Sequence, residues 1–152
     1  MIPKWVASML RSETVFINGD GETSRDFCYI ENVIQANLLS GTVDNPEAAG
    51  QVYNVAVGDT TTLNQLHVTL NNLLAERVQG YVPQPPTYRD FRAGDMRYSL
   101  ADISKARKLL GYIPIFRAPE GLERAIDWYV AQLAPQATVR RKAAEEEVLA
   151  SR

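Results

Sequence analysis

The run formed by residues 51–57, QVYNVAV, constrains the possible folds most strongly. It is nearly continuous in apolar and β-branched side chains, and Gly58 and Asp59 end it with a turn signal. Such a run predicts a strand that is covered on both faces, which requires neighbouring strands and two helical layers. The rest of this 152-residue chain supplies few partners for that strand. We therefore expect part of its cover to come from outside these residues.

Two helices carry the clearest sequence signals. Thr62 and Gln65 match the pattern of a capping box, which predicts a helix over residues 63–76. The leucines of this helix recur at helical spacing, which places their side chains inward. A second helix follows Tyr29, and its apolar residues also recur at helical spacing: Ile30, Val33, Ile34 and Leu38.

Shorter signals complete the predicted order of elements. Residues 14–18 are β-branched and aromatic and precede a turn signal at residues 19–21, which predicts a short strand that ends in a loop. Residues 81–86 are rich in proline and predict an extended segment that continues into residues 88–92. The remaining predicted helices are an opening helix with Pro3 at its first position, a short helix between Asp102 and Gly111, and a last helix that begins near Pro119.

The fold class that these elements predict is α+β, with helices packed on short strands in one unit. We assign residues 1–132 to this unit. Residues 133–152 are rich in Ala, Glu, Arg and Lys and poor in apolar residues, so we expect them to form a solvated helix or a disordered tail.

Composition excludes several classes of function. The formal net charge of -2 gives no electrostatic footprint for nucleic acid or for an anionic membrane, so any anion must be met by local arginines. The apolar run within residues 1–11 is too short and interrupted for a signal peptide or a membrane span, and the cytosol is the natural compartment. A single cysteine, Cys28, and a single histidine, His67, cannot form an internal disulfide or a usual zinc site. We expect Cys28 to be a small buried residue and His67 to be solvated or packed, and we assign neither a catalytic role.

Arginine, acid and aromatic residues are combined in two clusters, residues 19–27 and residues 89–97. The planar fork of arginine donates bidentate hydrogen bonds to phosphate oxygens, so two arginines from separate segments could clamp a diphosphate. A nearby carboxylate could accept hydrogen bonds from both hydroxyls of a ribose. The alternative is that Arg25 with Asp26, and Arg92 with Asp95, form ordinary surface ion pairs. Spacing alone leaves both interpretations open.

The order of motifs from residue 2 to about residue 130 resembles the carboxyl-terminal part of the extended short-chain dehydrogenase/reductase sugar epimerases. The matching motifs are IPKW at 2–5, NGDGETSRDFCYI at 18–30, YNVAVG at 53–58, TLN at 62–64, RAGDMR at 92–97, ADISKA at 101–106, LLGY at 109–112 and EGL at 120–122. Within this family, the run GDGETSRDFCY most resembles the UDP-N-acetylglucosamine 4-epimerases of bacterial polysaccharide synthesis. The resemblance implies the substrate domain of a Rossmann-type epimerase.

The resemblance also implies a nucleotide-sugar site. Arginines that match Arg25 and Arg92 bind the UDP diphosphate in such enzymes, and an aspartate that matches Asp95 binds the ribose. Groups around the strand that contains Phe16 and Asn18 hold the uracil. The expected ligands are therefore UDP-N-acetylglucosamine and UDP-N-acetylgalactosamine.

Three further assignments have structural alternatives. The resemblance places Phe27 beside the nucleotide, but a phenylalanine is equally suited to a core position. Asn18 is also a suitable turn residue before Gly19. The residue that matches Ser99 lines the hexose pocket in this family, and a serine leaves room for a 2-acetamido group. Ser99 is alternatively a helix cap, a role for which Asp102 competes.

Two motifs that sugar epimerases of this family require are missing from the sequence. No GxGxxG or GxxGxxG fingerprint for NAD is present, and none of the 7 tyrosines is followed by a lysine four positions later. We therefore expect this chain to bind no NAD and to be part of a truncated or split epimerase. An upstream segment or a Rossmann-half polypeptide would supply NAD and the acid/base pair. The alternatives are a free-standing UDP-binding module without turnover, and a non-functional remnant or interaction unit.

Overall fold

The computed structural model describes residues 1–134, which contain five α-helices and four short strands. The helices are α1 (Ile2–Leu10), α2 (Ile30–Thr42), α3 (Leu63–Arg77), α4 (Ser104–Leu110) and α5 (Ala118–Leu133). The strands are β1 (Phe16–Asn18), β2 (Ser24–Arg25), β3 (Thr61–Thr62) and β4 (Thr87–Arg89), and a 3-10 helix covers Pro46–Ala48. The predicted combination of helices and a few short strands is confirmed. Most of the predicted tail, residues 135–152, lies outside the described residues.

The strands form two separate pairs. β1 lies parallel to β4, and β2 lies antiparallel to β3. An isolated parallel bridge also joins Ser24 of β2 to Tyr98. These pairings bring the two arginine clusters together, because β1 and β2 lie in or beside the first cluster and β4 and Tyr98 lie at the ends of the second.

The larger core lies between α1, α3 and α5. On α3, the side chains of Leu66, Leu70 and Leu74 are fully buried, as the leucine spacing predicts. Each such leucine contributes roughly 1.5–3 kcal/mol of hydrophobic free energy. The predicted capping box is also confirmed: the Thr62 hydroxyl accepts the backbone N–H of Gln65 at 3.1 Å, and the Thr62 N–H donates to the Gln65 side chain at 2.9 Å.

A second, smaller core lies between α2, α4 and the 3-10 helix. Tyr112, which follows the left-handed Gly111 at the end of α4, is fully buried and donates to the carbonyl oxygen of Ala56 at 2.7 Å. The buried Asn32 of α2 donates to the carbonyl oxygen of Phe116 at 2.7 Å and accepts the backbone N–H groups of residues 115 and 116. The amide side chain therefore anchors α2 to the segment that leads into α5.

The strand predicted for residues 51–57 is wrong for the part of the chain that the structure describes. These residues form no strand pairing, and Val52 is 84% exposed. The physical reason is that no described strand lies alongside these residues, so their backbone N–H and C=O groups have no strand to pair with. Single hydrogen bonds hold the segment instead, such as the one from the Tyr53 hydroxyl to the carbonyl oxygen of Ala48 at 2.8 Å.

The apolar spacing of α2 correctly predicts a helix, but three of the apolar side chains that show this spacing face neither core. Ile30, Ile34 and Leu38 are 58%, 50% and 64% exposed, whereas the buried side chains of α2 are Asn32 and Ala36. The helix thus packs through a small and a hydrogen-bonded side chain. Its most apolar face has no cover from the described residues.

Candidate functional site

Arg25 links the two arginine clusters. Its Nη2 atom lies 2.9 Å from Oδ1 of Asp95, and its Nη1 atom donates to the carbonyl oxygens of Ser24 and Met96. Neither Arg25 with Asp26 nor Arg92 with Asp95 forms the local ion pair that their positions in the sequence suggest. Arg25 and Asp95 both remain partly exposed, with side-chain exposures of 28% and 41%.

A second ion pair crosses between the same clusters. The Arg97 guanidinium donates to the carboxylate of Asp20, in the turn that follows β1. The backbone N–H of Glu22 and then Arg97 hold the pKa of the Asp20 carboxyl below its ordinary value, and the Asp20 side chain is 45% exposed. Sequence reasoning did not single out Asp20 or Arg97, although each lies inside a motif that carries the resemblance.

The β1–β4 pair presents aromatic and polar side chains beside these ion pairs. Phe16 is exposed on one side, and the guanidinium of Arg89 lies over its ring, 3.3 Å from the ring centroid. Asn18 is exposed at the end of β1, in register with Arg89. Gly19 follows with a φ of 78°, and a Cβ at this position would lie 2.2 Å from the Phe91 ring. Only glycine fits this turn.

The turn at residues 19–21 is held by α3. Asn64 donates to the carbonyl oxygen of Asp20 at 3.1 Å and to the Glu22 carboxylate at 2.7 Å. It accepts the hydroxyl of Tyr88, on β4, at 2.9 Å. One asparagine side chain therefore connects the turn, the parallel strand pair and the first turn of α3.

Asp26 holds backbone rather than an arginine. Its two carboxylate oxygens accept the N–H groups of Val57 and Gly58 at 2.9 Å each, and Oδ2 also accepts the N–H of Ala101 at 3.4 Å. Sequence reasoning missed this role, because the position directly after Arg25 suggests an ion pair. The donors come from two distant segments that no local spacing identifies.

Ser99 lies between the bridged Tyr98 and the start of the segment that leads to α4. It is half-buried, and it does not cap the helix, because α4 begins only at Ser104. Asp102 accepts the backbone N–H of Ser104 at 2.9 Å, so the carboxylate serves the helix start. The capping alternative for Ser99 is wrong.

The last two candidate residues differ in their surroundings. Phe27 packs against the larger core and lines a cavity of about 300 Å³ beside the ion pair of Asp59 and Arg117, which favours the core interpretation. Arg92 is exposed, and its carbonyl oxygen accepts the N–H of Asp95 at 3.1 Å in a turn. Its guanidinium forms no ion pair with any described residue.

His67 and Cys28 are packed, as expected. His67 is buried with its ring edge-on to Trp5, and burial lowers the pKa of its imidazole. Cys28 is half-buried, and burial raises the pKa of its thiol.

Residues 1–134 contain neither a candidate metal site nor a candidate membrane-spanning helix. No group of three or more His, Cys, Asp or Glu side chains there could hold a metal ion. No helix in this range has the length and apolarity that crossing a bilayer needs.

The sequence is similar to known proteins over most of its length. Residues 1–56 match the NAD dependent epimerase/dehydratase family. The chain is 29% identical over 122 residues to a UDP-glucose 4-epimerase of Mycolicibacterium smegmatis, a match that covers 80% of this chain and 36% of that protein. The chain thus spans little more than a third of the length of this relative.

Solved structures agree with this relationship. A UDP-glucose 4-epimerase from Thermotoga maritima, solved with UDP-glucose, superposes with a TM-score of 0.73 at 34% identity over 88% of this chain and 40% of that one. A UDP-N-acetylglucosamine 4-epimerase from Methanobrevibacter ruminantium, solved with UDP-N-acetylmuramic acid, gives 0.72 at 34% identity over 87% and 39%. A UDP-glucuronic acid 4-epimerase from Bacillus cereus, solved with UDP-glucuronic acid and NAD, gives 0.68 at 27% over 85% and 38%.

Proposed function

Because this chain is related to the NAD-dependent epimerase/dehydratase family, we propose that it forms the UDP-sugar-binding portion of a UDP-N-acetylglucosamine 4-epimerase. The observation that carries this proposal is the contact between Arg25 and Asp95, which joins two motif segments 70 positions apart at a partly exposed surface. An arginine and a carboxylate at one surface suit the diphosphate and the ribose of UDP.

Arg25 retains hydrogen-bonding capacity for a diphosphate. Its contacts to Ser24, Asp95 and Met96 use three of the five guanidinium N–H donors, which leaves two for phosphate oxygens. Its existing contacts also hold the guanidinium in place before a ligand arrives, so less side-chain entropy is lost on binding. Arg92 is exposed in the segment that also contains Asp95 and Met96, and it supplies the second guanidinium of the proposed clamp.

The remaining groups have roles that follow from their positions around this clamp. Asp95 uses one carboxylate oxygen for Arg25, and its second oxygen accepts from the ribose hydroxyls. Phe16 and Asn18, both exposed on β1, face the uracil. Ser99 borders the hexose, where its small side chain leaves space for a 2-acetamido group. We propose no direct contact between Phe27 and the nucleotide, because its ring packs against the larger core.

The residues of this chain do not fit NAD. A dinucleotide site needs glycines at a strand-to-helix turn so that the backbone can approach the pyrophosphate. At three glycines of this chain, another side chain already occupies the space that a Cβ would take. These side chains are Phe91 at Gly19, Asn64 at Gly21 and Tyr29 at Gly121. With no Tyr-x-x-x-Lys pair in the sequence either, we assign NAD and the acid/base pair to another part of the enzyme.

The uncovered apolar surface supports a partner of that kind. Ile30, Ile34 and Leu38 expose the apolar face of α2, and Val52 is 84% exposed in a segment that forms no strand pairing among the described residues. Apolar surface of this extent favours association with another layer of structure. We propose that the NAD-binding part of the enzyme, on a separate or the same polypeptide, packs on these residues.

Ligand-observed NMR tests the proposed site. Saturation-transfer difference spectra are recorded with UDP-N-acetylglucosamine and the full chain. We expect signals from the uracil, the ribose and the N-acetyl methyl group, because all three would contact the protein. Signals that are absent, or that an excess of UDP does not displace, would contradict the proposal.

A further inference from the structure

The Asp26 carboxylate connects two separate segments of the chain. Val57 and Gly58 donate to its two oxygens at 2.9 Å each, and Ala101 donates to Oδ2 at 3.4 Å. Backbone N–H groups have no rotamer freedom of their own, and their hydrogen bonds to a carboxylate are charge-assisted. Asp26 therefore holds the backbone at residues 57–58 and at residue 101 in a fixed relation.

Along the chain, Ser99 lies between a strand bridge at residue 98 and the Asp26 hydrogen bond at residue 101. Tyr98, which precedes Ser99, forms a parallel bridge with Ser24. Ala101, two residues after Ser99, donates to Asp26. The two residues that hold these contacts, Ser24 and Asp26, directly flank Arg25, the arginine that we assign to the diphosphate.

We propose that Asp26 is a positioning residue that sets the distance between the diphosphate-binding arginine and the hexose-facing serine, and thereby contributes to binding of the sugar portion of the ligand. The inference rests on the proposed function, since it requires a UDP-sugar that spans these two groups. Asp26 needs no contact with the ligand. Loss of its hydrogen bonds releases the chain after Ser99, while Arg25 keeps its own contacts to Asp95 and to the carbonyl oxygen of Met96.

Calorimetric titrations of the full chain with UDP and with UDP-N-acetylglucosamine test this role in Asp26→Asn. The substitution replaces one acceptor oxygen with an NH₂ donor, so at least one backbone N–H loses its partner. We expect the affinity for UDP-N-acetylglucosamine to fall about tenfold more than the affinity for UDP, as an unmet polar group would produce. The control is Ile126→Val, which removes a buried methyl from the larger core. If Asp26→Asn weakens both ligands by the same factor, as the control should, Asp26 is only structural.

A second variant addresses the same connection from its other end. Ala101→Pro removes one backbone N–H and leaves the hydrogen bonds from Val57 and Gly58 to Asp26 intact. It should show the same selective loss of affinity for UDP-N-acetylglucosamine. A folded Ala101→Pro protein with unchanged selectivity would overturn the inference.

Amide hydrogen exchange separates this inference from the proposed function. If the unmodified chain binds neither ligand, the proposed function fails, and exchange rates then decide whether Asp26 connects the segments. Faster exchange confined to the region of Gly58 and Ala101 in Asp26→Asn would support the connection. Exchange that accelerates equally throughout the helices would reject it.

Discussion

Nη2 of Arg25 lies 2.9 Å from Oδ1 of Asp95, although 70 positions separate the two residues in the sequence. The contact is possible because Ser24, next to Arg25, forms a bridge with Tyr98. A short stretch of backbone pairing therefore assembles a charged surface from two motifs that are distant in sequence.

Arg25→Ala should weaken UDP binding by about 10- to 100-fold, because a charge-assisted hydrogen bond contributes about 1.5–3 kcal/mol. Arg25→Lys should recover only part of this loss, since lysine keeps the charge but lacks the planar fork. The control is Arg11→Ala, which removes an arginine that, among the described residues, pairs only with Glu13 two positions away. Calorimetric titration with UDP measures all three variants, and an unchanged affinity in Arg25→Ala would reject the diphosphate clamp.

Gly19→Ala should destabilise the fold by about 2 kcal/mol or more, from the left-handed backbone and from overlap with another side chain. A Cβ at Gly19 would lie 2.2 Å from the Phe91 ring. Gly80→Ala is the matched control, because Gly80 has a similar φ of 74° and nothing within 4 Å of the added Cβ. Urea unfolding measures both variants. Equal losses of stability would show that the Phe91 contact has no effect.

Stability should decrease as the pH falls below about 6.5, the ordinary pKa of histidine. Burial lowers the pKa of His67 in the folded protein, so the unfolded chain binds its proton more readily in this range. The stabilisation is present above the unfolded pKa and is lost as the pH falls through the folded one. His67 is the single histidine in the sequence, so His67→Gln should remove this dependence between pH 7 and about pH 5. Urea unfolding across that range would contradict the account if both proteins lost stability equally.

Leu38→Glu should leave the stability of this chain within about 0.5 kcal/mol of the unmodified protein, because Leu38 is 64% exposed. It should prevent association with an NAD-binding partner that packs on α2. Val68→Glu is the control, since Val68 is 56% exposed on a different helix, α3. The portion of the Bacillus cereus epimerase outside the 38% that this chain matches, expressed separately, serves as the partner in analytical ultracentrifugation. Equal association of both variants would place the partner elsewhere.

Local sequence signals predicted the parts of the fold that depend on local contacts. The Thr62–Gln65 capping box and the buried leucines of α3 are examples, because residues within one or two helical turns determine both. Gly111 similarly ends α4 in a left-handed conformation, as a glycine at that position predicts.

Features that depend on distant partners could not be predicted from spacing. Residues 51–57 have the composition of a covered strand, yet strand pairing requires a neighbouring strand, and residues 1–134 supply none beside them. The candidate site shows the same limit. The resemblance predicts that Arg25 and Asp95 belong to one site, but only the folded backbone shows that they contact each other and that Asp26 binds backbone N–H groups.

Calorimetric titration of the full, unmodified chain with UDP-N-acetylglucosamine, UDP and NAD in parallel tests the central claim most directly. The account predicts saturable binding of both uridine nucleotides, tighter binding of the sugar nucleotide than of UDP, and no binding of NAD. A folded chain that gives no heat with either uridine nucleotide would contradict it.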